Sequence, residues 1–345
     1  MNIKTAVNQS DHQTFKASLP LSLKLQVQAM KNRKLGTTGF DILPLALGTN
    51  VFGWTIDQEQ SFKILDSFSG SGFKLVDTAD IYSRWGAGNK GGESETIIGN
   101  WLKKTGKRND IVLATKVGAD MGDGKKGMTR AYILKAVEDS LKRLQTDHID
   151  LYQSHFDDNT TPVAETMEAY AQLVKEGKVI AVGASNISPE RLNESLAASR
   201  QLGLPAYQTL QPHYNLYERE GYEKNYEPIC EANGLGMICY FPLASGFLTG
   251  KYRTEADLKK SIRGEGVRKF MNERGMNILK ALDEVAKEHM VQPASIALAW
   301  LIARPSITAP IASATTTEQL NDLMKATEIK LNTAQISKLN DASAY

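Results

Sequence analysis

The sequence predicts an α/β fold, a (β/α)8 TIM barrel, and three observations carry that expectation. From residue 42 onward, eight short β-compatible runs alternate with segments of helical periodicity. The ends of those runs recur at about one strand-plus-helix unit, roughly 30 residues. Polar residues with useful chemistry collect at the run ends, which in a barrel form one rim.

The runs are "LPLALGT", "FKLVDTA", "DIVLATKV", "IDLYQSH", "VIAVGASN", "AYQTLQPHYN", "GMICYFPL" and "ITAPIAS". With Gly48, Asp77, Lys116, His155, Ser185, Gln211 and Tyr240 as end markers, the steps are 29, 39, 39, 30, 26 and 29 residues. Ser313 follows only 73 residues later, so one long loop and extra helices intervene before the last strand. Between the runs, "TRAYILKAVEDSLKRL" places Ile133, Val137, Leu141 and Leu144 on one apolar face, with Thr129 as its N-cap. "SPERLNESLAASRQLG" begins with Ser188 before Pro189 and stops at Gly203, a matched start and stop. Such alternation argues for a parallel sheet. No composition shift divides the chain, so residues 31–345 are expected to form a single barrel domain. Residues 1–30 read as a poorly ordered tail or a non-native extension, with Met30 as an alternative start.

Bulk properties exclude several functions. A net charge of +2 gives no electrostatic case for nucleic acid or an anionic membrane. No run of about 18 apolar residues is present, so nothing is expected to span a bilayer. The patch "LPLSLKLQV" is broken by Lys24 and lacks a cleavage site, which argues against a signal peptide. Cys230 and Cys239 are the two cysteines, read as packing residues in a reducing, cytoplasmic setting. His12, His148, His155, His213 and His289 show no metal-binding spacing, so no metal is expected.

One motif misleads. "GAGNKG", Gly86 to Gly91, matches a dinucleotide fingerprint. A true fingerprint turns directly off its strand and is followed by an acid at the end of the next strand. Here "DTADIYSRW" intervenes and the next strand ends in Lys116, so the segment reads as a glycine loop bordering a pocket.

The stretch "KLVDTADIYSRWG" puts Asp77, Asp80 and Tyr82 at the end of a core strand. A buried carboxylate needs a partner, and Lys116 on the neighbouring strand is the candidate. A tyrosine next to an ammonium is expected to have a lowered pKa and to act as a general acid. His155 would orient a substrate oxygen beside Tyr82. That set suits protonation of a carbonyl oxygen during hydride transfer. A purely structural Asp77–Lys116 ion pair and a structural histidine are the competing readings.

The blocks "VDTADIY", "LATK", "IDLYQSH", "VGASN", "LQPHYN" and "PLASGFLTGKY" resemble, in order and spacing, those of the aldo-keto reductases, over residues 31 to about 342. The branch it is most similar to includes the potassium-channel β subunits. The resemblance implies a barrel with a short N-terminal β-hairpin and extra C-terminal helices, and reduction of aldehydes or ketones with NADPH, NADH remaining open. It implies Asp77, Tyr82, Lys116 and His155 as the catalytic four. Ser185, Asn186 and Gln211 would bind the nicotinamide carboxamide, and Tyr240 would stack on its ring. Leu243, Ser245, Gly246, Leu248 and Lys251 would form the pyrophosphate loop, and Arg263 would clamp a 2′-phosphate. Arg263 as one member of a solvated charge cluster is the bland alternative.

The chain departs from the family pattern at the eighth strand, "PIASATTTEQLND". Thr315 stands at the usual basic position, with Ser313 and Gln319 as polar contacts. Leu323, preceded by Asp322, replaces the usual adenine-binding asparagine. Arg263 and Lys251 favour NADPH; the altered stretch favours NADH. Trp54 and Trp85 are expected to wall a pocket for a small-molecule carbonyl substrate. The alternatives are a cofactor-binding regulatory subunit of the same fold, or an alcohol or sugar dehydrogenase working oxidatively.

Overall fold

The computed structural model of the chain describes residues 31–261 and 264–345; the expectations for residues 1–30 and for Arg263 lie outside the described residues. Two strands, β1 (Arg33–Lys34) and β2 (Asp41–Ile42), pair as an antiparallel hairpin. Eight parallel strands follow: β3 (Ala46–Gly48), β4 (Leu75–Asp77), β5 (Val112–Val117), β6 (Ile149–Ser154), β7 (Val179–Ser185), β8 (Thr209–Gln211), β9 (Gly236–Cys239) and β10 (Ala309–Ala312). They close into a barrel in chain order, with β10 joined to both β9 and β3.

Helices cover the outside. They are α1 (Gln58–Gly70), α2 (Glu93–Thr105), α3 (Arg130–Leu144), α4 (Val163–Lys175), α5 (Pro189–Leu202), α6 (Glu220–Asn225), α7 (Glu227–Asn233), α8 (Gly264–Val267), α9 (Glu273–His289), α10 (Pro293–Ala303), α11 (Thr317–Lys325) and α12 (Thr333–Ala342). The apolar face expected on α3 is buried at Ile133, Val137, Leu141 and Leu144, and Thr129 accepts from the Tyr132 N–H. Ser188 caps α5 with Pro189 in its first turn, and Gly203 closes it in the left-handed conformation. Gly99 lets α2 and α3 touch, because a Cβ there would meet the Arg143 carbonyl at 2.1 Å. Among the described residues no helix is long and apolar enough to cross a membrane.

Several strands are shorter than the runs that announced them. β8 stops at Gln211 because Pro212 has no N–H for the ladder. Pairing resumes only as one bridge between His213 and Tyr240. The barrel's lower interior is apolar: Leu75, Ala114, Leu151, Ala181, Ile238 and Ala309 form one cluster, which Leu35 and Ile42 of the hairpin join. Residues two positions further along each strand point inward at the next level. That level is where the polar residues begin.

Candidate active site

The second inward layer contains Asp77, Lys116, Gln153 and Gln211, drawn from β4, β5, β6 and β8 and all buried. Gly183 of β7 occupies the gap between them; a Cβ there would fall 2.2 Å from Thr209 Oγ1 and 3.1 Å from Gln153 Cγ. Lys116 Nζ donates to Asp77 Oδ2 at 2.6 Å, to the Thr78 carbonyl at 2.8 Å and to the Tyr82 hydroxyl at 2.8 Å. An ammonium has three protons, and here each has an acceptor. The second Asp77 oxygen accepts from Gln211 at 2.9 Å and Gln153 at 3.3 Å. The carboxylate at the strand end is thus paired on one oxygen and hydrogen-bonded on the other, which is what allows it to be buried.

Gln153 is a residue that sequence reasoning missed. Its signal was present in "IDLYQSH": Leu151, Gln153 and His155 alternate on the inward face. Gln211 is part of the same network. Its amide nitrogen donates to Asp77 and to Gln153, so it supports the carboxylate.

The expected lowering of the Tyr82 pKa is not found. Burial, followed by the Asp77 carboxylate, holds the phenol well above its ordinary value, although the Lys116 ammonium donates to its oxygen. In a water-poor layer the cost of a bare phenolate exceeds what one already paired ammonium returns. Burial pulls the Lys116 pKa down and Asp77 opposes that shift. Burial and then the Lys116 charge hold His155 well below the usual histidine range, so its ring is neutral. The His155 Nδ1 is buried and has no hydrogen-bond partner among the described residues. The His155 and Tyr82 rings meet edge-on with centroids 6.0 Å apart.

Asp80, three residues after Asp77, is a separate case. It is buried, its Oδ1 lacks a partner among the described residues, and its carboxyl is pushed up to about 8, first by burial and then by Glu95. Glu95 itself pairs with Arg143 at 2.6 Å and accepts from Thr115.

Beside this core, Ser185, Asn186 and Tyr240 form a second group. Asn186, at φ 36°, donates to the His155 carbonyl and to Ser185 Oγ, and accepts from the Tyr240 hydroxyl at 2.9 Å. Ser185 Oγ donates to the Gln211 carbonyl. His213 stacks on Tyr240 at 5.2 Å and pairs with Glu218 at 2.7 Å. A cleft of about 470 Å³ opens on this side, with Asn186, His213, Tyr226 and Tyr240 in its lining; neither Tyr82 nor Lys116 lines it.

The expected anion loop runs through Leu243. Ala244, Ser245 and Gly246 have φ of 47°, 57° and 97°, three left-handed residues in succession. Leu248 is fully buried. Lys251 is exposed and folds back over Tyr252, near the Gly246 turn. At the eighth strand, Ser313 donates to Asn50 at 2.7 Å, and Thr315 donates to Gln319 through both its N–H and its hydroxyl at 3.0 Å. Leu323 is buried and Asp322 pairs with Lys325. The Trp85 ring centroid lies 6.1 Å from that of Tyr82, and Trp54 meets Trp85 edge-on at 5.7 Å. Among the described residues no group of three or more His, Cys, Asp or Glu could hold a metal.

Comparison with known proteins points the same way. The model of the aldo/keto reductase family matches residues 44–344. The uncharacterized oxidoreductase YrpG of Bacillus subtilis is 38% identical over 320 residues, covering 90% of this chain and 95% of that protein. The L-glyceraldehyde 3-phosphate reductase of Escherichia coli is 31% identical over 323 residues, with 90% and 92% covered. A probable voltage-gated potassium channel subunit beta of Oryza sativa subsp. japonica is 30% identical over 310 residues, with 87% and 92% covered.

Proposed function

The chain belongs to the aldo/keto reductase family, and from that premise we propose that it reduces an aldehyde or ketone to the alcohol, using NADPH, with Tyr82 as proton donor. The observation that carries the reading is the hydrogen bond from Lys116 to Tyr82, 2.8 Å long, in a layer where Asp77 holds the same ammonium at 2.6 Å.

The donor set suits a nicotinamide dinucleotide. Asn186 and Ser185 carry amide and hydroxyl groups for a carboxamide, beside the partly exposed ring of Tyr240. The left-handed run Ala244–Gly246 next to Lys251 suits a pyrophosphate through backbone N–H groups and one cation. Ser313, Thr315 and Gln319 lie ready for the adenosine end. When bound, the reduced nicotinamide supplies the hydride.

The protein's own residues manage the proton. Tyr82 rests protonated, the form a donor must have. As the carbonyl oxygen gains negative charge, Tyr82 gives it a proton, and the phenolate left behind accepts from Lys116. Asp77 keeps the ammonium aimed at that oxygen, and Gln153 and Gln211 keep Asp77 in place. Neutral His155 is free to hydrogen-bond the substrate oxygen, which gives its ring a ligand to meet.

Lys251 supports NADPH, whereas Thr315 at the usual basic position supports NADH. Fluorescence quenching with the two nucleotides, followed by a panel of aldehydes and ketones, tests the proposal. Tyr82→Phe should bind NADPH as the unaltered protein does and lose turnover. Unchanged turnover in that variant refutes the proton-donor role. A second reading, a subunit that binds cofactor without turnover, is favoured by the potassium-channel relative. Nucleotide binding with no consumption of NADPH by any carbonyl, or of NADP by any alcohol, would select it.

A further inference from the structure

The glycine-rich segment Gly86–Gly91 carries one amide side chain, and it is firmly anchored. Asn89 is half-buried in a loop whose neighbours Gly88 and Lys90 are exposed. Its Nδ2 donates to two carbonyls, Gly53 at 2.8 Å and Ser83 at 2.8 Å. Gly53 belongs to the loop after β3 and Ser83 to the loop after β4, so one side chain joins the two. Ser83 adds a second link through its hydroxyl, which donates to the Phe52 carbonyl at 2.5 Å. The far end of the segment is fixed to α2, because Glu93 accepts from the Lys90 and Gly91 N–H groups at 2.7 and 2.9 Å. The glycines make room for this arrangement: a Cβ on Gly86 would lie 2.6 Å from Asn89 Nδ2.

The two loops so joined carry Trp54 and Trp85. Trp54 follows Gly53 directly, and Trp85 follows Ser83 by two residues. Their rings pack edge-to-face at 5.7 Å, and Trp85 stands 6.1 Å from the Tyr82 ring with 48% of its surface exposed. Phe156 is 44% exposed and stacks at 4.7 Å on His155, whose ring meets that of Tyr82. Trp85 next to Tyr82, and Phe156 next to His155, thus put exposed aromatic surface around a candidate proton donor, where it could cover an apolar substituent.

We propose that Asn89 is a positioning residue that locks the Trp54–Trp85 wall beside Tyr82, and that this wall selects carbonyl compounds bearing a flat apolar group over small polyhydroxylated aldehydes. The selectivity rests on the reading of the site as a carbonyl reductase; the lock itself does not. An edge-to-face indole pair held by hydrogen bonds at both loop bases presents a fixed face to a planar substituent. Preorganised in this way, the wall holds the reacting carbon near Tyr82 without ordering two loops at each encounter.

The test uses the full chain with Asn89→Ala, and Ser83→Gly as a second variant. Glycine accepts the φ of 72° at position 83 and removes only the hydroxyl link. The substrates are 2-naphthaldehyde and glyceraldehyde, with NADPH. For Asn89→Ala we expect KM for naphthaldehyde to rise about tenfold, with kcat for glyceraldehyde and the NADPH Kd held. Ser83→Gly should move the same way by less. Two of the four tryptophans, Trp101 and Trp300, are buried in packing, so a red shift of the emission would report loosening of Trp54 and Trp85. Equal losses for both aldehydes overturn the selectivity. An unshifted emission spectrum in both variants overturns the lock. If the unaltered protein turns over neither aldehyde, the proposed reaction falls, and the emission of Asn89→Ala still decides for or against the lock.

Discussion

Lys116 and Asp77 meet at 2.6 Å with side chains 0% and 1% exposed, on adjacent strands and one inward level above the apolar floor of the barrel. Each is the reason the other can be there. Removing one partner of a buried pair leaves an uncompensated charge, which typically costs about 3–5 kcal/mol. Asp77→Asn and Lys116→Met should each therefore destabilise by that order in urea denaturation. The double variant should recover part of the loss while remaining inactive, and strictly additive losses would refute the coupling.

Gln153 should matter to the reaction through Asp77. Gln153→Leu removes a donor to a carboxylate and a partner of Gln211. Hydrogen bonds to charged groups are worth about 1.5–3 kcal/mol, so kcat is expected to fall about tenfold or more while the NADPH Kd stays unchanged. Steady-state kinetics alongside cofactor titration decides this, and an unchanged kcat would remove Gln153 from the supporting layer.

Gly183 is required by its neighbours. In Gly183→Ala the new methyl meets Thr209 Oγ1 at 2.2 Å, an overpacking that should cost about 1–3 kcal/mol. The Thr209 hydroxyl has no hydrogen-bond partner among the described residues. Adding Thr209→Ala should therefore restore much of the lost stability. Thermal unfolding of the two single variants and the double variant tests this, and a double variant no better than Gly183→Ala rejects the clash.

Asp80 makes stability depend on pH. Its carboxyl titrates near 8 when folded against an ordinary value of 3.8. Between those values the folded protein holds a proton that the unfolded chain has lost. The Asp80 contribution is thus intact below about pH 4, declines as pH rises and levels off above about 8. Asp80→Asn cannot ionise, so its Tm relative to the unaltered protein should climb from pH 5 to pH 9. A Tm difference independent of pH would show that the buried Asp80 carboxyl does not titrate in this range.

Much of this architecture was legible because it is written locally. The β-compatible runs and helix caps such as Thr129 and Ser188 are properties of neighbouring residues, the steps from Asp77 to Lys116 to His155 repeat one strand-plus-helix unit, and all reappear in the fold. The ends of the strands were less legible, since Pro212 shortens β8 within an otherwise β-compatible run. Gln153 escaped although "IDLYQSH" places it between Leu151 and His155 in alternation, because a glutamine among β-compatible residues gains a role only when Asp77 and Gln211 arrive from other strands.

By itself the sequence determined which residues come to the rim. Strand order and inward alternation follow from the chain, and they place Asp77, Lys116 and Gln211 in one layer whatever the details of packing. Only the tertiary structure decided what those groups do to one another. Burial outweighs the Lys116 charge and keeps Tyr82 protonated; it raises Asp80 and neutralises His155. The two links between the loops of Trp54 and Trp85 likewise exist only once distant segments meet. Desolvation and hydrogen bonding depend on what surrounds an atom in space, and no local pattern in a chain records that.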